Sequence, residues 1–372
     1  MLERLRHLIT SDPVLIIAWL LAVATAVVVP PDGAYPEYID FHTLGLLFSL
    51  MAVMAGLQNL GLFRRMGERM LAKTSNTRQL ELVLVFLPFF SSMLVTNDVA
   101  LITFVPFALE VLRIARLEKA IIPVVAMQTI AANLGSMTTP IGNPQNLYLY
   151  SRYQLSLGAF FQTMLPLTAA SGILIAVVVL LRKSQLLYLP ALHSAPPMAG
   201  SAKRLVLLYF ALFFVCLGAV AKWLEVWLVV SIVLACVVLA DRRTLKQVDY
   251  ALLFTFIGFF IFVGNLGRLE VFRTLFQNLL TGHEVLCAAL VSQFISNVPA
   301  ALLLSGFTQQ GAALLTGVNL GGLGTLIASM ASLISFKYIS RSYPAQKGSY
   351  LKWFTVSNIA FFIILYGVTL IL

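Results

Sequence analysis

Apolar stretches of roughly 17 to 25 residues, the length that crosses a bilayer core, recur from Val14 onward, and several are interrupted near their centres by Asn, Gly and Pro. Inside hydrocarbon every backbone amide and carbonyl needs an internal partner. Spans must therefore be helical, and a break survives only where it is buried or lines a wet cavity. Composition agrees. Hydrophobic residues make up 60% of the 372 and charged residues only 11%, against about a quarter charged in a soluble domain. The net charge of +10 does not point to nucleic acid, because Lys and Arg sit between apolar segments and form no basic face with interleaved aromatics. Cys216, Cys236 and Cys287 lie inside apolar runs without metal-ligand spacing and read as small buried hydrophobes.

The basic start, Arg4 and Arg6, leads into an apolar run from Val14 that ends at Pro30-Pro31 with no small-residue cleavage site. It reads as a retained first span. The expected crossings are 14–30, 42–62, 119–150, 160–182, 203–221, 224–240, 249–266, 309–337 and 350–372. Segments 79–113 and 283–307 are apolar but broken by Thr96-Asn97-Asp98 and Ser296-Asn297-Val298-Pro299, and read as helical hairpins that enter and leave on one side. With the N-terminus inside, all of the 25 Lys and Arg residues except Arg152, Lys222, Arg268 and Arg273 fall in inner connectors, as the positive-inside rule requires.

The two halves carry the same landmarks in the same order. Asp40-Phe41, a span and Asn59-Leu60-Gly61 correspond to Asp249-Tyr250, a span and Asn265-Leu266-Gly267; Asn133-Leu134-Gly135-Ser136 corresponds to Asn319-Leu320-Gly321-Gly322. An odd number of crossings separates the starts of the halves, so the second is inverted, a recurring plan in transporters. The expected fold is an all-α polytopic membrane protein of two inverted repeats, 1–182 and 224–372, joined by a linker and connecting span over 183–223, with His193, Pro196 and Pro197 in the polar linker. Each repeat contains a re-entrant hairpin and a broken transmembrane helix.

The breaks are the candidate site. The run from Asn133 to Asn146 includes Gly135, Thr138, Thr139, Pro140, Gly142, Asn143, Pro144 and Gln145 and cannot be one regular helix. Its counterpart holds Asn319, Gly322, Gly324 and Thr325, then Ser329, Ser332 and Ser335. Unwound backbone there offers carbonyls to cations and amides to anions. The bland alternative, close packing of small residues, suits Gly158, Gly172 and Gly258 better. Of the 15 acidic residues only Asp98 falls at a hairpin tip. An intramembrane carboxylate costs about 2.5–3.5 kcal/mol on insertion scales, so a functional partner is expected, either a proton or Na+ held near Asn97, Asp98 and Asn143. The competing role is a helix cap by Asn97 or Asp98. The second tip has no acid and offers Ser296 and Asn297 as neutral ligands.

At the two tips and the run Thr139-Pro140-Ile141-Gly142-Asn143-Pro144-Gln145-Asn146 the chain resembles the ion transporter superfamily: arsenite permeases, citrate and divalent-anion symporters and one class of Na+/H+ antiporter. It is most similar to short bacterial anion permeases. The resemblance covers nearly the whole chain. It implies ion and substrate sites between the tips and the broken helices, a moving bundle against a scaffold in an elevator-like cycle, and a homodimer. By position, Thr96, Asn97, Gly135 and Gly142 to Asn146 correspond to one ion half-site, and Ser296, Asn297, Gly322 and Gly324 to the other. Dicarboxylate symporters repeat Ser-Asn-Thr at both tips. Here the tips read Thr-Asn-Asp and Ser-Asn-Val-Pro, which weighs against dicarboxylate recognition and a two-sodium scheme.

The expected function is secondary transport of a small anionic or neutral oxyacid, arsenite-like or carboxylate, through the bacterial inner membrane with the N-terminus cytoplasmic. The coupling ion is H+ or Na+, and no cofactor or nucleic acid is expected. A Na+/H+ antiporter exchanging at Asp98 is the alternative. An intramembrane enzyme would need a buried base beside its nucleophile, and no interior His or Lys is available. The absence of a GxxxxGK[ST] motif argues against a primary pump.

Overall fold

The computed structural model describes residues 13–72, 74–187 and 200–371. Arg4, Arg6, Lys73 and the linker residues His193, Pro196 and Pro197 lie outside the described residues. The described chain is helical throughout, and its one strand-like pairing is a single bridge between Asn76 and Leu186.

Two successions of elements follow one another. The first runs α1 (Pro13–Val28), the short α2 (Tyr35–Tyr38), α3 (Phe41–Asn59), α4 (Leu62–Leu71), α5 (Thr77–Ser91), α6 (Asn97–Ile114), α7 (Ile121–Ser136), α8 (Pro144–Arg152) and α9 (Leu157–Leu180). After α10 (Gly200–Val220), the second runs α11 (Val226–Asp241), α12 (Tyr250–Arg268), α13 (Glu270–Leu280), α14 (Glu284–Ile295), α15 (Asn297–Leu304), α16 (Gly311–Leu320), α17 (Met330–Ser342) and α18 (Lys347–Thr369). Both expected hairpins are helix–turn–helix pairs, α5–α6 and α14–α15, and both expected broken spans are interrupted, between α7 and α8 and between α16 and α17.

Among the described residues, α3, α9, α10, α12 and α18 are long and apolar enough to cross a membrane. α1 and α11 have 16 residues each. At about 1.5 Å per residue they fall short of the roughly 30 Å hydrocarbon core, so these two expected crossings are shorter than the apolar runs suggest. α4 and α13 replace what reads as connector in the sequence. They are helical because charged and apolar residues alternate there with the helix period, as in Arg64, Arg65, Glu68 and Arg69 beside Leu62, Phe63 and Met66. Arg64 bonds Glu68 at 3.1 Å and Glu110 of α6 at 3.0 Å, which ties α4 to the first hairpin.

Local chemistry sets the helix starts. Asp40 and Asp249 cap α3 and α12 with nearly identical backbones (φ −78°, ψ 82° and φ −77°, ψ 81°), each accepting from the amide three residues on. Asn76 and Ser156 cap α5 and α9 in the same way. A carboxylate or amide oxygen at this position satisfies an amide that the helix cannot.

α7 is the centre of the bundle, with every residue buried. It packs on α5, α6, α9, α17 and α18, while α1 packs on α12 and α10 and α11 pack on α3. Two polar side chains on α7 reach its neighbours. Gln128 Nε2 donates to the Leu84 and Phe104 carbonyls of both hairpin arms, at 2.8 and 3.3 Å, and Thr129 Oγ1 donates to Ser335 Oγ of α17 at 2.7 Å. Two buried acids lie at the hairpin bases: Glu81, paired with Arg182 at 3.1 Å, and Glu284, which accepts from Thr308 Oγ1 at 3.4 Å.

Gly56 of α3 makes room for a side chain of α10, since an added Cβ would stand 2.1 Å from the ring of Tyr209. That ring is fully buried and its hydroxyl donates to Thr244 Oγ1 at 3.2 Å, so it has little freedom to withdraw. Gly56→Ala is expected to cost about 1–3 kcal/mol by overpacking, read as a lower melting midpoint in detergent. Gly367→Ala, where nothing lies within 4 Å, is expected to leave that midpoint unchanged or raise it slightly.

Candidate functional site

Each hairpin tip is fastened to the break in its own half by one backbone hydrogen bond. In the first half the Asn97 amide donates to the Gly142 carbonyl at 3.2 Å, and in the second the Asn297 amide donates to the Ala328 carbonyl at 3.0 Å. Unwound chain and helix start thus satisfy each other's backbone groups, as a break within a span requires.

In the first half the cap of α6 is Thr96, with extended backbone (φ −66°, ψ 152°) and Oγ1 accepting from the Val99 amide at 3.5 Å. Asn97 and Asp98 therefore do not cap. They occupy the first turn, where Asn97 Oδ1 accepts from the Asp98 amide at 3.0 Å and Asn97 Nδ2 donates to Asn133 Oδ1 at 3.0 Å. The break runs from Met137 to Asn143, which caps α8 by accepting from the Asn146 amide at 2.9 Å, with Pro144 in the first turn. Asn146 Nδ2 closes the break on itself, donating to the carbonyls of Ser136, Met137 and Thr139 at 3.3, 3.3 and 3.1 Å. Gly142 allows the chain to fold back, because a Cβ there would stand 2.0 Å from the Ser136 carbonyl oxygen; at Gly135 a Cβ would stand 2.0 Å from the Phe89 carbonyl oxygen.

In the second half Ser296 sits at φ 75°, with its Oγ buried and unpartnered. Here the carboxamide that holds the break belongs to the hairpin arm. Gln293 Nε2 donates to the Gly321 and Leu323 carbonyls, both at 2.9 Å, and its Oε1 accepts from the Thr325 amide at 2.9 Å. Gly324, at φ 118°, leaves room for that side chain.

The two halves are then joined by asparagines. Asn133 Oδ1 also accepts from Ser329 Oγ at 3.1 Å, and Asn133 Nδ2 donates to the Gly322 carbonyl at 3.3 Å. Asn143 Nδ2 donates to Asn319 Oδ1 at 3.1 Å, and Asn319 Nδ2 donates to Asn146 Oδ1 at 2.7 Å. Asn297 lies with its Nδ2 against Gly322. These six asparagines are all buried, in a network of amides, hydroxyls and backbone groups.

Among the sequence-derived candidates, Thr96, Asn97, Asn133, Gly135, Gly142, Asn143, Asn146, Asn297, Asn319 and Gly322 come together here, with Ser296 at the second tip and Gln145 buried beside the α8 cap. Others face elsewhere. Thr138 bonds Gly135 and Thr168, Thr139 bonds the Met93 carbonyl, and Thr325 is exposed and engaged with Gln293. Asp98 turns toward a cavity of about 350 Å³ that is also lined by Thr96, Asn143 and Asp249, and its Oδ1 is buried without a hydrogen-bond partner. The oxygens lining this cavity are hard donors of the kind that holds an alkali cation. Among the described residues no three His, Cys, Asp or Glu form a metal cluster. A second cavity of about 710 Å³ lies near the far end of α8, lined among others by Asp40, His42, Tyr148, Arg152, Lys222 and Ser305.

Sequence reasoning missed Gln293 and Asp249 as parts of this arrangement, while Ser329 was expected in the second break. Gln293 had a usable signal, a lone carboxamide in an apolar arm three residues before the tip. Asp249 had none beyond its capping position.

Over residues 2–333 the sequence matches the citrate transporter family. It is 32% identical over 309 residues to the inner membrane protein YbiR of Escherichia coli, covering 82% of this chain and 81% of that one. It is 31% identical over 302 residues to an uncharacterized transporter of Methanocaldococcus jannaschii, covering 80% and 81%. A shorter match, 35% over 147 residues, covers 39% of this chain and 30% of the silicon efflux transporter LSI3 of Oryza sativa. With its apolar helices of membrane-crossing length, the chain is an integral membrane transporter and belongs to the citrate transporter family.

Proposed function

We propose that the protein is a secondary active transporter that moves a small anion or oxyacid by alternating access, coupled to Na+ or H+. The two successions of elements act as inverted repeats, 1–182 and 224–372 around the segment 183–223. The hairpins α5–α6 and α14–α15 are re-entrant from opposite faces. Matching caps at Asp40 and Asp249, the reciprocal packing of α1 on α12 and α11 on α3, and the odd number of crossings between the starts support this reading. The basic bias supports a cytoplasmic N-terminus, and the resemblance noted above supports a homodimer.

The observation that carries the proposal is the asparagine network in which Asn133 bonds tip, break and opposite half at once. Neutral carboxamides, hydroxyls and helix N-termini recognise oxygen-rich solutes of low charge without a buried cation. A relative named for silicon efflux and a family described by citrate transport support an oxygen-rich solute, and the absence of a Lys or Arg from the network favours the weakly charged end of that class.

The antiporter reading draws on one further observation, the unpartnered buried Oδ1 of Asp98. In both readings Asp98 carries the coupling cation.

A ligand that binds the folded state at a hundred times its Kd stabilises it by about 2.7 kcal/mol. Silicate, arsenite, phosphate and citrate are therefore to be titrated against the purified protein, with the melting midpoint as readout. At least one of them is expected to raise the midpoint, and Asn133→Ala is expected to weaken that response at least tenfold in concentration. Stabilisation by Na+ alone, with no response to any oxyanion, would support the antiporter reading instead.

Asp98→Asn keeps the shape of the side chain and removes its charge. In proteoliposomes it is expected to abolish dependence of uptake on the cation gradient while solute exchange at equal concentrations persists. Loss of both would mean that Asp98 shapes the solute site rather than the coupling.

A further inference from the structure

Asp40 and Asp249 cap corresponding helices with the same backbone geometry, yet their second carboxylate oxygens differ. Asp40 Oδ1 accepts from the Thr43 amide at 2.9 Å and Oδ2 accepts from the Thr43 hydroxyl at 2.5 Å, so both oxygens are engaged. Asp249 Oδ1 accepts from the Leu252 amide at 2.9 Å. Leu252, standing where Thr43 stands, has no hydroxyl to offer, and Asp249 Oδ2 makes no hydrogen bond among the described residues. Asp249 is exposed and lines the same 350 Å³ cavity as Asp98, together with Gln58 and Gln247. The cavity thus holds a carboxylate within, with an unpartnered buried oxygen, and a half-free carboxylate exposed to solvent, and no Lys, Arg or His lines it. Asp40 lines the other cavity, in company with His42, Arg152 and Lys222.

We propose that Asp249 is the entry carboxylate of a cation path: it gathers a monovalent cation at the mouth of this cavity and passes it to Asp98. This rests on the reading of Asp98 as the coupling residue. Low-dielectric walls lined by one sign of charge focus the field and raise the local counter-ion concentration. Capping alone explains one oxygen of Asp249, as it does in Asp40, and leaves the other without a purpose.

The test uses the full-length protein, purified and titrated with NaCl at constant ionic strength made up with choline chloride, reading the melting midpoint. Asn caps a helix as well as Asp does, so Asp249→Asn and Asp40→Asn separate charge from cap. Asp249→Asn is expected to raise the half-stabilising Na+ concentration about three- to tenfold, the effect of removing one unit charge from the wall of a partly wet cavity. Asp40→Asn is expected to leave it unchanged, and Asp98→Asn to abolish the response. Equal behaviour of Asp249→Asn and Asp40→Asn, with Asp98→Asn still abolishing the response, overturns the entry role alone. A Na+ response that survives Asp98→Asn overturns the Asp98 reading and this path with it, and a wild type indifferent to Na+ overturns the path while leaving proton coupling at Asp98 standing.

Discussion

The arrangement depends on one constraint, that unwound backbone in a water-free interior must find partners inside the protein. The bonds from the Asn97 amide to the Gly142 carbonyl and from the Asn297 amide to the Ala328 carbonyl answer it. Each unsatisfied group would cost about 1–3 kcal/mol, so neither the tip nor the break is stable alone. Tip and break in each half are therefore joined directly through the backbone. Gln293 strengthens this link in the second half by reaching from the hairpin arm to Gly321, Leu323 and Thr325 at the start of the break.

Much of this was legible in the sequence because lipid allows so few solutions. Polar residues inside apolar runs located both turns and both breaks to within a few residues, and the recurring Asp40-Phe41 and Asp249-Tyr250 pairs marked corresponding helices that turned out to share their cap geometry. What failed were assignments that depend on torsion angles. Thr96, and not Asn97 or Asp98, is the cap, because capping requires the extended backbone of the residue before the first turn, and composition cannot separate three adjacent polar residues. α4 and α13 read as connectors in the sequence, because they have only 10 and 11 residues and follow directly on spans.

The asparagine cluster was legible as a set of residues but not as a set of contacts. Asn146 reads like Asn143 in the sequence, yet its amide nitrogen closes three carbonyls of the break while Asn143 reaches across to Asn319. Gly324 and Thr325 belong to the clamp around Gln293 and stand apart from the asparagines. Such divisions depend on which side chain is long enough to reach which carbonyl, and that follows only from the three-dimensional path of the break.

The network also limits how a solute can bind. Its carboxamides already hold one another, so on the proposed reading a solute entering between the halves must replace bonds such as Asn143 to Asn319 and Asn133 to Gly322 with its own oxygens. Each exchange nets only about 0.5–1.5 kcal/mol, which favours modest affinity. Selectivity is sharper, because a solute that breaks these bonds without matching them leaves buried amides unpaired. The cross-half bonds are also the ones that must open if the halves are to move apart. On the proposed transport reading, binding and release of the solute are thereby tied to the same few asparagines that join the halves, and a single set of hydrogen bonds serves as both recognition site and latch.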